Sequence, residues 1–176
     1  MKEEVLSCIM TRRSVREFQD RSIPPEMIND VLEAARWAPS GHNNQPWSVI
    51  IVRSKKKIDV LAELSGCRDT VRGANVLLVV FLDGELSYER TKDVQSCGAF
   101  CYTALLATHA IGLGGVWVGR ILSNSDKVSE TLKAPPSWEL MAVLCIGWPV
   151  HEDREKERRP LDDFCHLETS GQSWNL

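Results

Sequence analysis

Long apolar runs are missing from this 176-residue chain. None exceeds the seven residues of Val76–Leu82, against the roughly 20 needed to cross a bilayer, so no membrane-spanning segment is expected. An excess of positive charge is missing too: 21 Lys and Arg against 24 Asp and Glu leave a net charge of −3, with a pI near 5.8. That balance argues against the broad cationic face that nucleic-acid binding needs. The six cysteines (Cys8, Cys67, Cys97, Cys101, Cys145, Cys165) include no Cys-x-x-Cys pair, so neither a disulfide framework nor a zinc knuckle is indicated. Cys97 and Cys101 share one face of a helical pattern and read as core packing. The four histidines (His42, His109, His151, His166) show no metal-ligand spacing, and no metal is expected. No G-x-G-x-x-G follows a strand pattern and no P-loop sequence occurs, which removes the usual nucleotide cradles. The start, Met1-Lys2-Glu3-Glu4-Val5, lacks the pattern of a signal peptide. Reduced thiols and a cytoplasmic location are expected.

What is present suits one globular domain. Apolar residues make up 43% and charged residues 26%, and a chain of this size buries about 70% of its unfolded surface. Residues 3–11 read as a short helix with Val5, Leu6 and Ile9 at helical spacing. A second helix starts at Ser22-Ile23-Pro24-Pro25-Glu26, carries Ile28, Val31, Leu32, Ala35 and Trp37 as one stripe, and stops at Ala38 before Pro39. Strands are expected at 47–52, 76–81 and 140–146, a short strand or bend at 114–118, and helices at 55–64, 88–110 and 124–132, the long one ended by Gly112. Gly98, Ala99, Ala104 and Ala107 crowd that long helix and suggest close approach of another helix, with ordinary burial as the alternative. After Pro149 the composition turns polar, and no linker divides the chain.

Four segments carry chemistry. Arg12-Arg13-Ser14-Val15-Arg16 concentrates three guanidiniums and a hydroxyl, which suits a phosphate monoester; a solvated loop is the alternative for the cluster alone. Pro39-Ser40-Gly41-His42-Asn43-Asn44-Gln45-Pro46 offers amide and hydroxyl groups to the edge of a heteroaromatic ring, between prolines that stiffen the loop. Gly112-Leu113-Gly114-Gly115-Val116-Trp117-Val118-Gly119 is rich in glycine, and Lys156-Glu157-Arg158-Arg159 is basic. The last lies in a stretch (151–163) with six acids against four bases, so a solvated tail is its alternative.

In this order the four segments resemble the FMN-dependent nitroreductase family, over about Leu6 to Cys165. The resemblance implies an α+β fold with a central mixed sheet wrapped by helices, in an intertwined homodimer with FMN at the subunit interface. It implies that Arg12, Arg13, Ser14 and Arg16 bind FMN from one subunit, while Pro39, Ser40 and Gly41 approach the ring from the other, with Asn43, Gln45 and Gln95 as further candidates. The Gly119 amide would face flavin N5, next to Arg120, and Lys156 and Arg158 would return to the cofactor phosphate as part of a polar extension (150–176) that reaches the partner. NAD(P)H would donate hydride transiently, and a nitroaromatic, quinone or similar small acceptor would take electrons in ping-pong fashion. No catalytic side chain is nominated; His42 alone is a residue to test as proton donor. A specialised oxidoreductase on one substrate and a non-enzymatic polyanion-binding module are the alternatives. The short connections at 82–88 and 121–127 imply an open site, with 67–73 as the one segment that could form a lid.

Overall fold

A computed structural model describes residues 2–151 and 157–174. Four strands, β1 (Trp47–Val52), β2 (Val76–Asp83), β3 (Gly114–Val118) and β4 (Trp138–Gly147), form one sheet in the order β1-β2-β4-β3. All neighbours are antiparallel. The mixed character expected of the sheet enters, among the described residues, through one isolated parallel bridge between Ser14 and Gly115.

The central strands are apolar throughout because both faces of the sheet are covered. Leu77, Val79 and Phe81 point to a layer built by α3 (Lys55–Ser65), α4 (Arg68–Gly73) and α6 (Ser125–Leu132), together with Ile58, Leu61, Val71 and Val128. Val76, Leu78 and Val80 point the other way, to α2 (Pro25–Ala35) and α5 (Arg90–Ala110), through Ile28, Val31, Phe100, Cys101 and Ala104. The alternation slips once. Val80 pairs with Ala142 but Phe81 with Leu140, so Met141 is an extra residue and Leu140 joins Phe81 on the α3 side.

α2 ends three residues before the expected stop, and Trp37, now past the helix, is 79% exposed instead of continuing the apolar stripe. The segment read as a possible lid is α4, whose Val71 is fully buried against the α3 layer; it belongs to the core and lies across the sheet from α5. Gly112 takes φ +79° just after α5, as a glycine stop should. Of the small residues of α5, Ala104 is buried against the sheet, with Ala99 and Ala107 packed beside it, while a Cβ at Gly98 would meet only the Trp117 ring, at 3.9 Å. Neither α1 (Lys2–Thr11) nor residues 157–174 contribute a buried residue.

Candidate functional site

α5 is the spine on which the candidate residues are arranged, one group at each end. At its N-terminal end Pro39, Ser40 and Gly41 face Tyr88, Lys92, Gln95, Ser96 and Ala99 across an open cleft of about 340 Å³. Lys92, Gln95 and Ala99 recur at steps of three and four and share one face of α5, and Tyr88 reaches the same cleft from the turn before the helix. The Gly41 backbone lies against the Tyr88 phenol so closely that a Cβ there would sit 2.0 Å from its hydroxyl. His42 stacks edge-on against the same ring at 5.0 Å.

The loop around Gly41 is strained. His42, Asn43 and Gln45 all take positive φ (51°, 57° and 47°), a conformation that costs a non-glycine residue on the order of 1 kcal/mol each. Three contacts hold it. The Gln45 amide donates to Ser40 Oγ at 3.0 Å, and Asn44 Nδ2 donates to the Leu86 carbonyl at 3.0 Å and to Asp93 Oδ1 at 2.8 Å. Asp93, fully buried in α5, also accepts from Ser87 Oγ (2.8 Å), the Tyr88 amide (2.9 Å) and the Glu89 amide (3.1 Å). Burial pushes its carboxyl upward, but the bonds from Asn44, Ser87, Glu89 and Tyr88 outweigh it and leave the acid below its usual range. One buried anion thus fastens the 41–45 loop, the Tyr88 turn and the start of α5 together.

At the other end of α5 lies the arginine loop. Ser14 bridges Gly115, and the Val15 amide donates to the Gly115 carbonyl at 3.1 Å. Gly114 and Gly115 allow this approach: a Cβ at Gly114 would meet Val15 at 2.8 Å, and one at Gly115 would meet Leu105 at 2.9 Å. Arg13 Nη1 is held by the carbonyls of Met10 (2.6 Å) and Arg12 (3.0 Å), and Arg16 Nη1 by that of Ser14 (3.2 Å). The Nε atoms of Arg12 and Arg13 are buried and have no partner. The Thr11 hydroxyl gives its proton to the Ser7 carbonyl, so the 3.0 Å contact with His109 requires His109 Nε2 to donate. Burial, and then the charges of Arg12 and Arg13, lower the His109 pKa and favour the neutral ring.

The structure brings Pro39, Ser40, Gly41 and Gln95 to one cleft and Arg12, Arg13, Ser14 and Arg16 to one loop, but not the two groups to each other. Lys92 lines the first, and Leu105 packs against Gly115, the bridge partner of Ser14 in the second; thirteen helical steps at 1.5 Å put them roughly 20 Å apart within one chain. Asn43 and Gln45 shape their loop without lining the cleft, and His42 is exposed and does not line it either. Gly119 is uncrowded, since a Cβ would meet only Trp117 Nε1 at 3.9 Å. The Arg120 side chain lies over Gly66 at the end of α3, away from both groups. Arg158 is exposed, and Lys156 falls outside the described residues. Sequence reasoning missed Tyr88, Lys92, Asn44 and Asp93. The spacing 92-95-99 was a usable signal for Lys92, whereas Tyr88 reaches the cleft from the turn before α5; Asp93 draws three of its bonds from Ser87, Tyr88 and Glu89 just before it, and its link to Asn44 depends on the fold.

The sequence pattern that defines the Nitroreductase family matches residues 9–148. The chain belongs to the nitroreductase family. Among the relatives of this nitroreductase, a Methanothermobacter thermautotrophicus protein named for NADH dehydrogenase and NAD(P)H nitroreductase is 38% identical over 170 residues, covering 95% of this chain and 88% of its own. A Bacillus subtilis FMN reductase [NAD(P)H] is 28% identical over 184 residues, covering 94% and 74%. The crystal structure of a Desulfovibrio desulfuricans nitroreductase in complex with FMN superposes with a TM-score of 0.89 at 37% identity, covering 94% of this chain and 96% of that one. The α+β nitroreductase fold is thereby established for this chain.

Proposed function

We propose that this nitroreductase is an FMN-dependent oxidoreductase that passes electrons from NAD(P)H to nitroaromatic, quinone or similar small acceptors, with each site assembled from two copies of the chain. The observation that carries the reading is the pair of buried, partnerless Nε atoms on Arg12 and Arg13. Buried polar groups without partners are rare, and a phosphate is the group guanidiniums satisfy best. Gly119 supports the fit, because nothing in the chain itself demands a glycine there, whereas a planar ring approaching the backbone does. When bound, FMN supplies the hydride-accepting and electron-donating chemistry.

The chain's own residues bind and orient. Arg12, Arg13, Ser14 and Arg16 would hold the phosphate end and place positive charge near the ring. Pro39, Ser40, Gly41 and Gln95 would border the ring from the second copy, on a loop fixed by Asn44 and Asp93. Lys156 and Arg158, on the extension from residue 150 onward, would return to the phosphate. No side chain need act as a nucleophile.

Two copies are needed because the two groups sit at opposite ends of α5; antiparallel pairing along α5 would bring the arginine loop of one copy to the cleft of the other. The exposed surface supports this. α1 presents Val5, Leu6, Ile9 and Met10 at 42–66% exposure, and Leu161, Phe164, Leu167 and Trp174 are exposed beyond the core. An isolated ten-residue helix is marginal in water, so α1 draws its stability from what covers that face. Six unpaired thiols, and no helix among the described residues long and apolar enough to cross a membrane, suit the cytoplasm.

An equilibrium titration with FMN tests the reading. The protein should bind it, and Arg12→Ala should weaken binding by about 1.5–3 kcal/mol, the range for a lost charge-assisted hydrogen bond. A protein that takes up no FMN would sink the proposal.

A further inference from the structure

The cleft at the N-terminal end of α5 holds a positive charge with no ion-pair partner; the Glu89 carboxyl, held below its usual range first by the Thr91 amide, feels that charge only as the smallest contribution. Lys92 Nζ lies 5.3 Å from the centroid of the Tyr88 ring. Among the described residues it makes no hydrogen bond and no carboxylate comes within ion-pair distance of it. The two acids beside it in sequence are committed elsewhere. Glu89 caps the helix through the amides of Thr91 and Lys92, at 3.0 and 3.1 Å, and Asp93 is buried beneath the Tyr88 turn. Several surface cations are paired, Arg36 with Glu33, Lys55 and Arg72 with Asp59, and Arg90 with Glu139; Lys56, Lys57, Lys127 and Lys133 share with Lys92 the lack of an ion-pair partner among the described residues, but none of them lines this cleft.

The surroundings of Lys92 are apolar or neutral. Pro39 and Ala99 supply flat apolar surface, Tyr88 an aromatic ring and a hydroxyl, Gln95 an amide. Apolar walls suit a planar ring, and a lone ammonium at the rim suits an anionic substituent on it, because an ion pair beside low-dielectric walls is less screened than one in open water. The Lys92 ammonium and the Tyr88 ring lie side by side on the cleft wall, so a ring bound there can reach both the ammonium and the phenol.

We infer that the Tyr88–Lys92 rim of this cleft, beyond the part that borders the flavin ring, receives the acceptor, and that Lys92, with Tyr88, selects planar aromatic acceptors bearing a carboxylate over neutral acceptors of the same shape. The inference rests on the functional reading above, since a reducible acceptor presupposes the flavin. Lys92 acts here as a specificity residue and takes no part in electron transfer.

Two measurements on the FMN-loaded protein test it. By calorimetry, benzoate should bind about three- to ten-fold tighter than benzamide, in line with a partly exposed charge contact. Neither compound is reduced, so this readout is independent of turnover. In steady state, 4-nitrobenzoate should show a lower KM than 4-nitrobenzamide at similar kcat. Lys92→Gln should abolish both preferences while leaving benzamide affinity and nitrobenzamide turnover within two-fold, Lys92→Arg should restore them, and high salt should shrink them. No preference in the unaltered protein, an equal loss for both acceptors in Lys92→Gln, or a rise in KM for NADPH with the acceptors unaffected would overturn the inference. The two proposals fail separately: normal reduction of the flavin by NADH without any charge preference refutes the acceptor subsite alone, whereas failure to bind FMN refutes the functional reading and the subsite with it.

Discussion

Replacing Asp93 with asparagine should detach the 41–45 loop while keeping the size of the side chain. The carboxylate accepts four bonds, from Asn44 Nδ2, Ser87 Oγ and the amides of Tyr88 and Glu89, all within 2.8–3.1 Å, at a fully buried position. An asparagine offers one acceptor oxygen. With that oxygen serving Ser87 and the two amides, its NH2 faces the NH2 of Asn44, so one contact is lost outright and three lose their charge. Each charge-assisted bond is worth about 1.5–3 kcal/mol and a neutral one about 1, but the groups relax together, so a net loss of about 2 kcal/mol is expected. For a chain of this length that lowers Tm by about 4–8 °C.

The pH dependence follows from the depressed acid. A carboxyl with a lower pKa when folded contributes in full above its unfolded value, near 4. That contribution is lost as pH falls through the folded value. The gap between wild type and Asp93→Asn should therefore be constant from pH 8 down to about 5 and close below 4. Thermal melts of FMN-free protein at one fixed concentration measure it. A gap under 0.5 kcal/mol at pH 7, or one that persists unchanged well below pH 4, would refute the four-bond account of Asp93.

Gly114→Ala places a Cβ 2.8 Å from three atoms of Val15; it should cost about 1–3 kcal/mol in urea unfolding and weaken FMN binding by shifting the arginine loop. Gly41→Ala meets only the movable end of Tyr88, so stability should change little while benzoate and FMN affinities both shift. Burial raises the thiols of Cys97, Cys101 and Cys145 to about 12. A thiol reagent at pH 8 should therefore label no more than Cys8, Cys67 and Cys165 in the folded protein, and all six after denaturation.

The strands were legible because their apolar runs are flanked by Pro and Gly, and Trp47–Val52 and Gly114–Val118 fall where expected. α4 was missed because Arg68–Gly73 has one apolar anchor, Val71, too few to show a period. Met141 was invisible as a bulge because strand pairing decides which residue is extra. At the site, the arginine loop and the Pro39–Gly41 loop could be read from residue type, but their separation along α5 could not. Arg120 looked like a neighbour of Gly119, yet its side chain turns to Gly66. Gly114 and Gly115, read with the ring-facing segment, serve first to let Val15 and Leu105 approach β3.

The most direct test of the central claim is an anaerobic absorbance titration of the FMN-loaded protein with NADH and, separately, NADPH. The account predicts that the flavin bands bleach at about one equivalent of nicotinamide per bound FMN with at least one of the two donors, and return when a nitroaromatic or quinone is added. Bands that persist through excess of both donors would contradict it.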